Sequence, residues 1–121
     1  MSSSTNIISS PRSAIASSPL SRGVRVILNA SGLVEAAGSV VRGDYATVHD
    51  IPSGEPGLVA SMSAGGSIPL LVAMDVIDGD PAYAAIDGLA TGDPTDAAYI
   101  GKFLSSGSAG ELVAVELQSE P

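Results

Sequence analysis

Residues 99–117 read YIGKFLSSGSAGELVAVEL. Two apolar runs, 99–104 and 112–117, flank Ser106-Gly107-Ser108-Ala109-Gly110, a cluster of turn formers. In the second run Val113, Val115 and Leu117 alternate with Ala114 and Glu116, the period-2 pattern of a strand with one buried face. Working outward, similar runs recur at residues 24–28, 45–49, 57–62, 70–75 and 82–86. Gly-bearing turns separate them, among them Asn29-Ala30-Ser31-Gly32, Arg42-Gly43-Asp44 and Asp78-Gly79-Asp80-Pro81. No segment sustains a 3.6-residue period, and one helical turn is expected where Asp93 precedes Pro94. The pattern predicts an all-β domain, a small barrel or sandwich of about seven short strands. Gly43-Asp44-Tyr45-Ala46 and Gly79-Asp80-Pro81-Ala82-Tyr83-Ala84 echo one another, which we read as shared turn chemistry rather than duplication.

Residues 1–22, MSSSTNIISSPRSAIASSPLSR, differ from this body. Nine of the 22 are Ser, and neither period is sustained, so the composition predicts an extended arm preceding a β-domain over 23–121. Ordering such an arm costs roughly 1–2 kcal/mol per residue in backbone entropy, so it needs another surface to lie on. It lacks the basic start and apolar core of a secretory signal, and no apolar stretch is long enough for a membrane span.

The chain has 121 residues and a net charge of −8, with no Cys and one His. The missing thiols exclude a disulfide framework and cysteine catalysis. The charge is lopsided: residues 1–43 carry four Arg and one acid, whereas residues 44–121 carry twelve acids and Lys102. An acidic body argues against nucleic-acid binding, which needs clustered bases. The basic arm is the candidate partner-binding segment, through Ile7, Ile8, Arg12, Ile15, Leu20, Arg22 and Arg25.

Chemistry-bearing motifs are few. His49-Asp50 invites a catalytic reading, but no Gly-x-Ser-x-Gly elbow accompanies it, and a strand end followed by a turn-initiating Asp is the simpler account. Asp75, Asp78 and Asp80 are oxygen ligands without the spacing of a calcium loop. Arg42-Gly43-Asp44 matches an adhesion tripeptide, and Asn29-Ala30-Ser31 a glycosylation sequon; both also serve as turns. Four aromatics offer no platform for sugar stacking. A lipoyl-type barrel lacks its carrier, because Lys102 falls within an expected strand. We therefore expect no enzyme activity, no cofactor and no metal.

The C-terminal half resembles the small β-domain decoration, or cement, proteins of tailed-bacteriophage heads. The resemblance rests on Gly79-Asp80-Pro81-Ala82-Tyr83, on the Ile100-Gly101 strand, and on the ending from Gly110 to Leu117, with Val113, Val115 and Leu117 at alternate positions. It spans about forty residues, and the Ser-rich arm departs from the compact start expected of such proteins. The resemblance implies a β-tulip-like domain that assembles as a homotrimer. It also implies binding to the major capsid protein of the same virus, on the capsid exterior, after synthesis in the host cytoplasm. Neither nucleic acid nor membrane is an expected partner. A tail, baseplate or fibre module and a ligand- or carbohydrate-binding β-module are the alternatives.

Overall fold

The alternation in residues 112–117 is realised as a central strand. Val113, Val115 and Leu117 are buried while Leu112 and Glu116 face outward. The computed structural model of the chain describes residues 12–63 and 65–119. They form ten strands: β1 Arg12–Ile15, β2 Arg25–Leu28, β3 Val34–Ala36, β4 Tyr45–Thr47, β5 Pro56–Ser61, β6 Ser67–Leu71, β7 Pro81–Ala84, β8 Ala90–Thr91, β9 Tyr99–Phe103 and β10 Leu112–Leu117. Two antiparallel five-stranded sheets result, in the orders β1-β5-β4-β2-β3 and β6-β10-β9-β7-β8, and the arrangement is sandwich-like rather than a closed barrel. All seven expected strands are present. The three additional ones, β1, β3 and β8, are short edge strands whose pairing partners rather than their own composition hold them extended.

The two orders are the same order, displaced by five strands. The register repeats as well. Arg25 pairs with Ala46 as Pro81 pairs with Lys102, and Thr47 with Val59 as Phe103 with Val115, a constant shift of 56 residues. The isolated bridges obey the same shift: Ala16 to Val34 and Val72 to Ala90, Leu20 to Ile51 and Val76 to Gly107. The fold is thus an internal duplication, contrary to the sequence reading. The Gly-Asp echo is out of register, since Gly79 corresponds to Gly23, not to Gly43. What the halves do share is turn geometry. Gly23/Gly79, Gly32/Gly88 and Gly54/Gly110 all have positive φ, which a residue with a Cβ adopts only with strain. Side chains at most other equivalent positions differ, because a strand needs only the right polarity on each face.

Two apolar clusters fill the molecule. One gathers Ala14, Ala16, Leu20, Val24, Val26, Val34, Ile51 and Val59 of the first half. The other centres on Leu70, Ile100, Phe103, Val113 and Val115 but takes in Ala46 and Ala60 of the first sheet and Met62 just after it. The first sheet therefore packs on both faces, and its small Ala46 and Ala60 let the second half approach. Phe103 is the one phenylalanine and is fully buried. Truncating it to Ala is expected to cost about 3–5 kcal/mol, since neighbouring aliphatics cannot refill so large a void; urea unfolding with an unchanged slope is the check. Gly101 explains the Ile-Gly strand: a Cβ there would strike the Glu116 carbonyl across the β9–β10 ladder.

Residues 12–22 belong to the first half rather than to an arm. β1 pairs with β5, Ala14, Ala16 and Leu20 are buried, and Leu20 exchanges both backbone hydrogen bonds with Ile51, at 2.8 and 2.9 Å. Composition hid this because the main chain does the pairing, and Ser at exposed positions leaves it undisturbed. The expected helical turn after Asp93 is a plain turn: Asp93 Oδ1 accepts the Thr95 N–H and Asp96 has φ of 48°, which ends any helix. The one helical turn among the described residues is the 3-10 turn Ile86–Gly88.

Candidate functional site

The residues singled out for docking scatter. Ile7 and Ile8 lie outside the described residues. Arg12 is exposed; its Nη1 donates to the Tyr45 hydroxyl at 2.8 Å and its guanidinium stacks 5.2 Å from that ring's centre. Ile15 and Arg22 are exposed, the latter with its backbone N–H on Asp50 Oδ1. Leu20 and Arg25 are buried, so neither offers its side chain to a partner. Arg12, Ile15 and Arg22 thus remain, on one edge of the first sheet and the turn after it.

Arg25 has a different task. Its fully buried guanidinium donates to five carbonyls: Nε to Leu89, Nη1 to Val41 and Arg42, Nη2 to Gly38 and Ala85. Three belong to the first half and two to the second, so one side chain ties the halves together. Burial pushes its pKa down to about 10, which leaves it protonated at neutral pH. Arg42 repeats the device less completely, donating to the carbonyls of Met62, Tyr99 and Gln118, and burial lowers its pKa as well, against a coulombic contribution from Tyr99. Two of the four arginines that make the N-terminal region look basic are therefore staples between the halves, Arg25 buried and Arg42 half-buried. No sequence pattern marks them, because their acceptors are backbone atoms distant along the chain.

The other motifs resolve into turn chemistry. Leu58 N–H donates to His49 Nε2 at 3.0 Å, so Nδ1 carries the proton toward the Asp50 carbonyl and the ring acts as a backbone cap. Asp75 Oδ1 accepts the Ala109 N–H, and no group of three or more His, Cys, Asp or Glu side chains gathers among the described residues. Arg42 and Asp44 of the adhesion tripeptide are both held by the main chain, Arg42 donating to the Met62 carbonyl and Asp44 accepting the Leu28 N–H. Asn29 Oδ1 receives the N–H groups of Ser31 and Leu33. A cavity of about 340 Å³ lies between the 18–21 turn and Leu71, Asp87 and Leu89, with Asp87 the single ionisable group on its wall.

A duplicated, two-sheet antiparallel fold with its halves tied by the buried Arg25 and the half-buried Arg42 is thus the class to which the chain belongs. A solved counterpart exists in the N base of the head fiber gp8.5 of bacteriophage phi29. The two share the fold with a TM-score of 0.75 and 18% sequence identity, over 90% of this chain and 93% of that one. No family model matches the chain, and no curated protein matches it by sequence.

Proposed function

We propose that the chain is a structural virion protein of a tailed bacteriophage, carried on the outside of the head, where it binds the capsid and stabilises it. The observation that carries this reading is the fold shared over nine-tenths of the chain with a head-fiber base. The motif resemblance to head decoration proteins points the same way, from different data. On this reading the protein is a non-enzymatic homotrimer whose partner is the major capsid protein. Docking runs through the N-terminal residues, with Arg12, Ile15 and Arg22 the described contributors. An acidic second half keeps the particle surface soluble and repels anionic polymers.

A second reading is favoured by the same counterpart: a fibre's attachment base rather than a free-standing clamp. Imaging of virions separates the two, since a clamp shows density at every equivalent capsid position and a fibre base shows a longer appendage rising from it. Co-sedimentation with emptied capsids tests the docking claim. Removal of residues 1–11 together with Arg12→Ser and Arg22→Ser is expected to weaken binding at least tenfold, and undiminished binding would sink it.

A further inference from the structure

We propose that the cavity between the halves binds a small aliphatic primary amine, held as its ammonium ion by Asp87. The cavity has a volume of about 340 Å³ and lies between the 18–21 turn of the first half and Leu71, Asp87 and Leu89 of the second. That is the lower end of the range for small-molecule sites, roughly 300–1,000 Å³, and such sites form preferentially where two packed units meet.

The duplication provides an internal control. The shift of 56 residues carries Asp87 and Gly88 back to Ser31 and Gly32. At Gly32 the space where a side chain would begin is open, whereas at Gly88 it is filled by Val24 and the Arg25 carbonyl. The same turn is free in one half and packed against a neighbour in the other, so the cavity exists only where the halves meet. There the turn has also changed. An acid replaces a hydroxyl, and Asp87 has a φ of 57°, a left-handed conformation that Ser31 does not share.

The chemistry of the wall selects the occupant. Asp87 is its single ionisable group, and among the described residues that carboxylate has no hydrogen-bond or ion-pair partner. Arg25 reaches the carbonyls of Ala85 and Leu89 on either side of it, but all five of its donors are committed to carbonyls. A cation is therefore favoured. Ser18 and Ser21 add two hydroxyls, which with the carboxylate make three acceptor groups for the three donors of an ammonium. Leu20, Leu71 and Leu89 give the wall an apolar part that suits methylenes. A calcium ion would want six to eight oxygens, and the leucines provide none. With its ammonium on Asp87 and its chain on the leucines, the ligand touches both halves and reinforces the tie made by Arg25. The site is the same for a capsid clamp and for a fibre base, so it stands or falls apart from the proposed function.

The experiment is a titration of the purified full chain at neutral pH and constant ionic strength, followed by backbone amide NMR. The probes are methylamine, ethylamine, n-propylamine and n-butylamine, with n-butanol as the uncharged control. n-Butylamine is expected to give saturable shifts confined to the cavity wall, with affinity rising roughly two- to fourfold per added methylene. n-Butanol, and n-butylamine on Asp87→Asn, are expected to bind about threefold more weakly or worse. Asn accepts the left-handed conformation, and Asp87→Gly carries the same test if the Asn variant does not fold. Absence of saturable shifts overturns the proposal. So do shifts spread over the acidic surface, affinity independent of chain length, or binding unchanged by the loss of either charge.

Discussion

Replacing Arg25 with Met lowers the stability of the folded chain by about 3–5 kcal/mol, a large share of what a domain of this size possesses. The side chain donates to five carbonyls drawn from both halves, and Met leaves those acceptors buried without partners. Lys in its place recovers only part of the loss, since an ammonium has three donors and no planar fork with which to reach carbonyls on several sides. The measurement is urea unfolding of wild type, Arg25→Met and Arg25→Lys, and a Met variant within 1 kcal/mol of wild type would contradict the account. The pH dependence has a definite sign. The folded-state pKa, about 10, lies below the ordinary arginine value. The cost of burying the charge is therefore constant below about pH 10 and is relieved only above it, so Arg25 contributes no loss of stability between pH 5 and 9.

Deleting residues 1–22 is expected to leave a chain that does not fold cooperatively, although composition alone marks this stretch as dispensable. The deletion removes β1 from the edge of β5 and takes Ala14, Ala16 and Leu20 out of the first core. Loss of a buried Leu alone costs about 2–5 kcal/mol, and here the strand's backbone pairing goes with it. Deleting residues 1–11 removes none of these contacts. Thermal melting followed by circular dichroism compares the two: a shift of many degrees or a lost transition for the longer deletion, with the transition kept in the shorter. A cooperative melt at the wild-type temperature after removal of residues 1–22 would refute the assignment of β1. Docking to a capsid is accordingly tested with the shorter deletion, whose effect is not confounded by unfolding.

The strand content and the Gly-bearing turns were legible because each rests on local rules. Alternation in residues 112–117 and left-handed turns at Gly23, Gly79 and Gly110 are properties of neighbours along the chain. The candidate site was legible only in part. Arg12, Ile15 and Arg22 are exposed as composition suggested, whereas Leu20 and Arg25 are interior, because their partners lie 31 and up to 64 residues away. The duplication escaped notice for a related reason. Strand order and register repeat over a shift of 56 residues while the side chains diverge, and pairing is carried by backbone groups that every residue possesses.

By itself, then, the amino-acid sequence determined an all-β chain of short strands, its acidic C-terminal body, and the absence of any thiol chemistry. Tertiary structure alone decided that β1 belongs to the body, that two arginines serve as staples, and that the halves repeat one strand order and register. Each of those depends on which distant segments meet. Pairing and burial are settled by the whole chain's packing, and neither composition nor periodicity records where a strand finds its neighbour.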